Sequence, residues 1–280
     1  MVLGDPRVTV VIATRDRTAE LRRTLSRLAV PPDASEVIVV DNGSAVPPVL
    51  GPREGDGTAR LIRLPANLAA AGRSVGARLA RTPYVAFCDD DTWWEPGALT
   101  AAADRLDADP GTALVAARVL VGSEGSVDPT SEAMEQGPLD EELRPATVGH
   151  GAVTGFLACA AMVRRAAYLA VGGFEPYLVI GGEEELAALD LIDAGWKLVY
   201  EPAAVVRHFP SRSRDGRGRS RLQVRNGIIV GGLRYSLPEV ARRWRTSVMP
   251  AVLPAAGWVT ARRRPVAPAV ETAFLGSAAR

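Results

Sequence analysis

The chain of 280 residues has almost no lysine and very little cysteine or histidine. Lys197 is the only lysine, a bias towards arginine that reflects genomic base composition more than chemistry. The two cysteines, Cys88 and Cys159, lie in apolar segments and lack a CxxC spacing. We therefore expect buried free thiols, with a disulfide or a metal role as the alternative.

The chain also lacks an excess of charge of one sign. Its formal net charge is +1, which argues against a protein that coats nucleic acid, because such binding needs many unneutralised basic residues on one face. Hydrophobic residues make up 47% of the chain and charged residues 23%, which excludes disordered and fibrous classes. The length allows two small domains, but it favours one large α/β domain.

No apolar segment is long enough to span a bilayer. The longest one near the end, residues 248–261, is interrupted by Pro250 and Pro254. The N-terminal residues do not show the charged, apolar and small-residue regions of a signal peptide. We expect a cytoplasmic location, with peripheral membrane contact left open.

Short β-branched segments alternate with helical patterns in the first half of the chain. This alternation is typical of a parallel sheet built from strand-helix-strand units. The predicted strands are residues 7–13, 36–40, 59–64, 84–88 and 112–121. The predicted helices are one that begins near Thr18 and two at about 69–80 and 97–108. The strand at 84–88 has no polar residue, so we expect it at the centre of the sheet.

The second half of the chain is less regular. Residues 122–149 contain turn residues and acids without a sustained period, which predicts a long loop. A helix should begin at the acidic residues after Gly182 and end near Gly195, where glycine supplies a left-handed cap. Pro202 should split residues 197–207 into two short strands. Residues 212–225 are rich in Arg and Gly, which predicts a flexible loop.

Three consecutive aspartates, Asp89, Asp90 and Asp91, follow the predicted central strand. Like charges a few ångströms apart raise one another's pKa, so a positive partner is expected. Carboxylates are typical ligands of hard cations such as Mg²⁺ or Mn²⁺. Asp89 and Asp91 can face one side, with Asp90 turned elsewhere. The alternative is an acidic N-terminal cap for the helix after Trp94.

A set of segments occurs along the chain in a defined order and spacing: VTVVIATRDR, EVIVVDNGS, NLAAAGRSVGARLA, YVAFCDDD, GGFEP, GGEEELAALDLIDAGW and the strand that ends at His208. Over residues 8–208 the chain thereby resembles the family 2 glycosyltransferases of the GT-A fold. The resemblance implies an α/β fold with a Rossmann-like, mostly parallel central sheet flanked by helices, and a helical C-terminal extension.

The resemblance also implies a domain organisation. Residues 1–210 would form the catalytic domain, with a nucleotide-sugar half at about 1–121 and an acceptor half at about 150–210. Residues 211–280 would form the Arg-rich loop and a helical tail.

The resemblance implies nucleotide-sugar contacts for residues that follow the strands. Thr14 and Arg15 would line the nucleotide pocket, and Asp41 would hydrogen-bond a uracil or thymine base. Arg73 would lie near the diphosphate and the sugar. Ser74 follows it where relatives often have Asn.

A metal site is implied at the aspartates. Asp89 would face the sugar or ribose, with Asp90 beside it, and Asp91 would hold a Mg²⁺ or Mn²⁺ ion together with Asp89. His208 matches a histidine that completes the metal shell in many relatives.

The catalytic base is implied at the acidic helix start. Counting from Gly172-Gly173-Phe174 without gaps places Glu183 and Glu184 on the Glu-Asp pair of many relatives. Glu184 would therefore take the proton of the acceptor. Glu183 or Glu185 is the alternative base, and a helix start that is acidic only to complement the helix dipole is the structural alternative.

Two further predictions concern aromatic and basic residues. Trp93 and Trp94 would line the sugar or acceptor pocket, or pack in the core. The arginines of residues 212–225 would close over the diphosphate, or else form a solvated loop or an anionic membrane contact. They are Arg212, Arg214, Arg217, Arg219, Arg221 and Arg225.

The predicted reaction is inverting transfer of a sugar from a UDP- or dTDP-linked donor. The acceptor would present a hydroxyl or an amine, on a small molecule, a lipid carrier, another carrier or a glycan. A nucleotidyltransferase that makes sugar nucleotides is one alternative, although ATRDRTAE lacks its Gly-rich phosphate loop. A non-catalytic protein of the same fold that binds nucleotide sugars is the other.

Overall fold

The computed structural model describes residues 5–28, 35–50, 59–136, 153–211, 216–236 and 238, with side chains except at 216–220. A sheet of nine strands lies at the centre of this part of the chain. Its strands are β1 (Val8–Thr14), β2 (Glu36–Asp41), β3 (Arg60–Arg63), β4 (Tyr84–Asp89), β5 (Thr92–Trp94), β6 (Thr112–Val121), β7 (Ser126–Val127), β8 (Ala161–Arg164) and β9 (Lys197–His208). The helices are α1 (Thr18–Arg27), α2 (Gly72–Leu79), α3 (Ala98–Ala108), α4 (Pro129–Glu135), α5 (Arg165–Ala170), α6 (Glu183–Asp193) and α7 (Gly216–Arg234).

The strand order is β3-β2-β1-β4-β8-β6-β9-β5, with β7 paired to β6. The first four of these strands are parallel to one another, and so are β6 and β9. β8 runs antiparallel to both of its neighbours, and β5 is antiparallel to β9. The mixed α/β fold and the central position of β4 are as the sequence predicts. Because β1, β2 and β4 are parallel, their carboxyl ends meet at one edge.

The sheet is buried on both faces, which explains the continuous apolar strands. Val10 and Ile12 of β1 pack with Leu21 of α1 on one face, and Val11 packs on the other, under α2. Gly76 lets α2 approach closely, since a Cβ at this position would lie 2.4 Å from Cγ1 of Val11. Cys88 and Cys159 are buried free thiols, and burial raises the pKa of Cys88 to about 12.

The prediction of two strands at residues 197–207 was wrong. β9 runs through Pro202 as one strand of 12 residues. Its register against β6 shifts between Ala117 and Arg118, where the partners change from Glu201 to Val205. The irregularity contains Pro202, so the missing N–H of proline costs no ladder hydrogen bond.

The prediction of a continuous loop at residues 122–149 was also wrong at its start. β7 and α4 lie within it, and α4 is capped by the Asp128 side chain, which accepts a hydrogen bond from the Thr130 N–H at 2.8 Å. The rest of the predicted loop, residues 137–149, lies outside the described residues.

The Arg-rich segment is not a loop from Gly216 onwards, because this residue begins α7, a helix of 19 residues. Val230 of α7 is buried in a cluster with Leu178 and Leu186, so tertiary packing outweighs the low helix propensity of the glycines. The structure does not describe Arg212, Arg214 or the tail beyond residue 238. In the described part of the chain, no helix has the length and apolar character required to cross a membrane.

Candidate functional site

The carboxyl ends of β1, β2 and β4 bring three predicted site residues side by side. Thr14 is in register with Asp41, and Ala13 is in register with Asp89. Arg15 lies just beyond β1 with an exposed side chain, and its Nε is 3.5 Å from Asp16 Oδ2. The sequence therefore predicts correctly that the ends of β1, β2 and β4 share an edge. The side chains at this edge have different partners.

Asp41 is fully buried at the end of β2. Its Oδ1 accepts a hydrogen bond from the Ser44 N–H at 2.9 Å, and its Oδ2 lies 3.8 Å from Nε of Arg63. Within the described residues, Oδ2 has no hydrogen-bond partner. A buried carboxylate oxygen without a donor suits a ligand N–H group.

Asp90 is buried, and its carboxylate has partners on β1 and at the start of α1. Its carboxylate accepts hydrogen bonds from Thr14 Oγ1 at 2.9 Å and Arg17 Nη1 at 3.0 Å, and its carbonyl accepts one from Thr24 Oγ1. Burial, together with the charge of Asp89, raises the pKa of Asp90 to about 6, although Arg17 opposes this shift. Asp90 thus joins β4 to β1 and α1, and it holds the Thr14 hydroxyl that was predicted to line the nucleotide pocket.

Asp91 is fully buried between β4 and β5, next to the end of β9. Its Oδ1 lies 3.6 Å from Nε2 of His208, and its Oδ2 accepts a hydrogen bond from the Ser211 N–H at 3.1 Å. The pairing of β5 with β9 fixes this arrangement, because Thr92 is the partner of His208 and the Phe209 N–H donates to the Asp91 carbonyl at 2.9 Å. The structure thus brings together Asp91 and His208, which are 117 positions apart, as the sequence predicts.

Asp89 is half-buried and forms an ion pair with Arg73 of α2. Burial opposes the charge of Arg73, but Asp89 and Glu183 favour it, so the pKa of Arg73 lies above its ordinary value. Ser74, the next residue, is not directed to a ligand. Its hydroxyl lies 2.8 Å from the Tyr168 hydroxyl and accepts a hydrogen bond from the Phe174 N–H at 2.9 Å.

The three glutamates at the start of α6 contact different neighbours. Glu183 is buried, and its charge acts on Arg73. Glu184 Oε1 accepts a hydrogen bond from the Ala158 N–H at 2.6 Å, whereas Glu185 Oε1 accepts one from the Tyr235 hydroxyl at 2.8 Å. Glu185 is therefore directed to the C-terminal end of α7, which disfavours it as the alternative base.

Trp93 contacts aromatic and basic residues in the structure. It is 8% exposed and stacks on Phe209 at a centroid distance of 5.0 Å, with the guanidinium of Arg27 5.8 Å from its ring centre. A cavity of about 340 Å³ adjoins this pair, lined also by Arg23 and Arg207. Arg207 is in register with Trp93, one residue before His208. Neighbouring residues of a strand point to opposite faces, so Trp93 lies on the face away from His208.

A divalent cation fits the donor set of this site only in part. Within the described residues, no group of three or more His, Cys, Asp or Glu side chains could hold a metal ion by itself. The predicted trio of Asp89, Asp91 and His208 is not gathered, since Arg73 engages Asp89. Asp91 and His208 remain as two neighbouring donors, and a spacing of about 3 to 4 Å is what two ligands of one ion require.

Sequence reasoning missed three residues of this region. Arg17 lies 3.6 Å from Asp91 Oδ2 as well as bonding Asp90, and Ser211 contacts Asp91 through its N–H. Asn226 of α7 binds the loop that leads into α6. Ser211 acts through its backbone, which leaves no sequence signal. The only signals for Arg17 and Asn226 were a polar residue at a helix start and a polar residue just after the predicted Arg-rich loop.

Comparison with known proteins provides a family match and a fold match. The family model described as Glycosyl transferase family 2 matches residues 9–171. Two curated relatives named "Pre-mycofactocin glycosyltransferase", from two Mycobacterium tuberculosis strains, CDC 1551 / Oshkosh and ATCC 25618 / H37Rv, are each 34% identical over 204 residues. The aligned region spans 72% of this chain and 42% of either relative.

Two solved structures are similar in fold. The mannosyltransferase PcManGT from Pyrobaculum calidifontis, in complex with GDP-Man and Mn²⁺, is 19% identical with a TM-score of 0.57, covering 99% of this chain and 88% of that one. S. aureus TarS 1-349, in complex with UDP-GlcNAc, is 13% identical with a TM-score of 0.60, covering 89% and 76%.

Proposed function

Because the chain belongs to glycosyl transferase family 2 and has the GT-A fold, we propose that it transfers a sugar from a UDP- or dTDP-linked donor with inversion. The observation that carries the proposal is the common edge of β1, β2 and β4. There a buried acceptor at Asp41 and the Asp91–His208 pair lie where parallel sheets bind ligands. Family membership favours this reaction over the nucleotidyltransferase alternative.

The base of the donor would bind at Asp41. The imide N–H of uracil or thymine donates a hydrogen bond that Asp41 Oδ2 can accept, and Asp41 is fully buried, so leaving this oxygen without a donor costs free energy. The exposed Arg15 lies at the same edge, within reach of a nucleotide. Cytosine has no hydrogen at the equivalent ring nitrogen, so CDP is a matched control for UDP.

Asp91 and His208 would hold a Mg²⁺ or Mn²⁺ ion, with the diphosphate of the donor and water as the remaining ligands. Such an ion neutralises the charge that develops on the leaving diphosphate. Arg73 would assist from the α2 side, because its guanidinium is ionised and held in place by Asp89. Asp89 would in turn face the sugar, as the resemblance implies.

Glu184 would act as the general base. The Ala158 N–H holds one of its carboxylate oxygens, which fixes the side chain while leaving a carboxylate able to take a proton. The acceptor hydroxyl or amine attacks the anomeric carbon as its proton passes to Glu184, and the bond from that carbon to the diphosphate breaks. A single displacement of this kind inverts the configuration.

We propose only the reacting group of the acceptor, which is a hydroxyl or an amine. The mycobacterial relatives are named for pre-mycofactocin, and the chain spans 42% of their length. The predicted acceptor half, about 150–210, contains Glu184 and the 3-10 turn at Ala158–Ala160 that binds it. Acceptor contacts are therefore expected near α6 and the 3-10 turn at Ala158–Ala160.

Release of nucleoside diphosphate from a panel of UDP-, dTDP-, CDP- and GDP-sugars, with Mn²⁺ and without an added acceptor, tests the proposal. Slow hydrolysis of UDP- or dTDP-sugars is expected, with CDP-sugars inert. Hydrolysis of CDP-sugars at an equal rate would contradict the role of Asp41. Binding of UDP without any release, even with acceptor mixtures, would favour the non-catalytic alternative.

A further inference from the structure

α7 crosses the loop that leads into α6 and contacts it through a buried asparagine. Asn226 is fully buried, and its Nδ2 donates to the carbonyls of Leu178 at 2.6 Å and Ile180 at 3.1 Å, and also to that of Gly181. The NH₂ group of one side chain therefore contacts three backbone carbonyls of the same loop. A side chain that merely filled space would not need this polarity.

The surrounding groups fix the orientation of the Asn226 amide. All three loop partners are carbonyl oxygens, which only accept hydrogen bonds, so the NH₂ group must face them. Its Oδ1 accepts a hydrogen bond from Nε of Arg225 at 2.9 Å. Nη2 of Arg225 donates to the Tyr177 carbonyl at 2.6 Å and to that of Leu178 at 3.3 Å. Arg225, which was predicted to bind the donor diphosphate, is thus part of the contact with the loop.

The loop itself adopts a costly backbone conformation. Val179 has φ 64° and ψ −75°, and the Ile180 N–H donates to the Leu178 carbonyl at 2.8 Å, which together make a classic γ-turn. A β-branched residue at positive φ is strained and persists only where its surroundings hold it. The carbonyls of this turn and of Gly181 are the groups that Asn226 binds.

The two glycines that follow let α7 approach the loop closely. Gly181 and Gly182 have φ values of 83° and 94°. A Cβ at Gly181 would lie 2.6 Å from Cγ of Gln223, and a Cβ at Gly182 would lie 3.1 Å from Cβ of Asn226. The backbone before α6 therefore rests directly on side chains of α7.

The loop joins two parts of the site. Gly182 is the residue before Glu183, the first of α6, and its carbonyl accepts the first helical hydrogen bond, from the Leu186 N–H at 2.9 Å. On its other side, the Val179 carbonyl accepts a hydrogen bond from the Ala70 N–H at 3.2 Å, two residues before α2, the helix of Arg73. A shift of the loop would move the α6 glutamates relative to Arg73.

We propose that Asn226 is a positioning residue that holds the strained loop at 178–182, and thereby sets Glu183 and Glu184 at the distance from the donor that transfer requires. The inference rests on the proposed function, in which a glutamate of α6 is the base. A displacement of about 1 Å in a reacting group can reduce turnover by about 100-fold. Asn226 contacts neither Asp41 nor Asp91, so donor binding should not depend on it.

The test compares Asn226→Ala and Asn226→Asp with the wild type in donor hydrolysis and in calorimetric titration with UDP and Mn²⁺. The aspartate variant keeps the shape but places an oxygen against the loop carbonyls. Both variants should lower kcat by about 10- to 100-fold, with the UDP dissociation constant changed by less than about twofold. An unchanged kcat in both, or a kcat that falls only in parallel with UDP affinity, would overturn the inference.

Val230→Ala is the matched control for a merely structural role. Val230 is fully buried one turn further along α7 and makes apolar contacts with Leu178 and Leu186, but its side chain has no group that can hydrogen-bond to the loop carbonyls. This variant should lower the melting temperature at least as much as Asn226→Asp and leave kcat within about twofold. An equal loss of kcat in Val230→Ala would show that stability alone is responsible. Absence of turnover in the wild type would instead refute the proposed function.

Discussion

His208 at the end of β9 places its Nε2 3.6 Å from Oδ1 of Asp91, which lies in the turn between β4 and β5. Thr92 of β5 pairs with His208 along the sheet, and the Phe209 N–H donates to the Asp91 carbonyl, so backbone hydrogen bonds bring the two residues next to each other. In the proposed metal site, the Asp91 carboxylate and the His208 imidazole would be two ligands of one cation.

Replacement of His208 by Gln should weaken Mn²⁺ binding by about 10- to 100-fold, because one of two protein ligands is lost. The fold should be retained, since His208 is partly exposed at a strand end. Calorimetric titration with Mn²⁺ in the presence of UDP measures the effect. Equal Mn²⁺ affinity in the variant would remove His208 from the metal site.

Asp90 should behave differently from Asp91 although the two are adjacent. Asp90→Ala removes the hydrogen bonds from Thr14 and Arg17, which should cost about 2 to 3 kcal/mol of unfolding free energy. The melting temperature should therefore fall by about 5 to 10 °C. Mn²⁺ affinity should fall less than it does in Asp91→Asn. Thermal unfolding and metal titration of both variants check this, and the reverse ranking would show that Asp90 is the metal ligand.

Glu184→Gln should lower kcat for transfer by about 100- to 10,000-fold, the usual contribution of a general base, with donor affinity preserved. The glutamine can still accept the hydrogen bond from the Ala158 N–H, so the 3-10 turn at Ala158–Ala160 should keep its position. Glu185→Gln is the control, because its carboxylate is bound to Tyr235. Near-normal turnover in Glu184→Gln, together with a large loss in Glu183→Gln, would transfer the role to Glu183.

Arg73→Lys should lower kcat/KM for the donor by about 100-fold, because lysine keeps the charge but not the guanidinium fork. Arg78→Lys, on the exposed side of the same helix, is the matched control and should have little effect. Steady-state rates at fixed Mn²⁺ measure both. If the two variants were equally active, Arg73 would have no role beyond its ion pair with Asp89.

The order of strands and helices in the first half could be predicted largely because β1, β2 and β4 are buried on both faces and are therefore nearly continuous apolar runs. β5 could not, since its three residues, Thr92–Trp94, are held by pairing with a strand more than 100 positions away. The first part of α7, up to Arg225, was predicted as a loop for a similar reason, whereas the residues after it were predicted as helical. This helix depends on burial of Asn226 and Val230 against α6, which local glycine content does not reveal.

The sequence predicts which residues lie at the site, but it does not predict all of the contacts that their side chains make. Asp41, Asp89 and Asp91 lie at strand ends, where topology alone assigns them to one edge. Which acid faces inward depends on Thr14 and Arg17, and which glutamate faces α7 depends on Tyr235. Alternation along the chain predicts that Asp90 turns elsewhere than Asp89 and Asp91, but not which partners it meets. The partners of Glu184 and Glu185 come from distant segments, so spacing along the chain could not separate these two glutamates.

The most direct test of the account is titration of UDP into the wild type and into Asp91→Asn, each with and without Mn²⁺. Mn²⁺ should strengthen UDP binding by the wild type at least about tenfold and should have no effect on the variant, because the buried Asp91 is the carboxylate ligand in the proposed metal site. The melting temperature of the variant verifies that it is folded. Enhancement by Mn²⁺ of equal size in both proteins would contradict a metal site at Asp91.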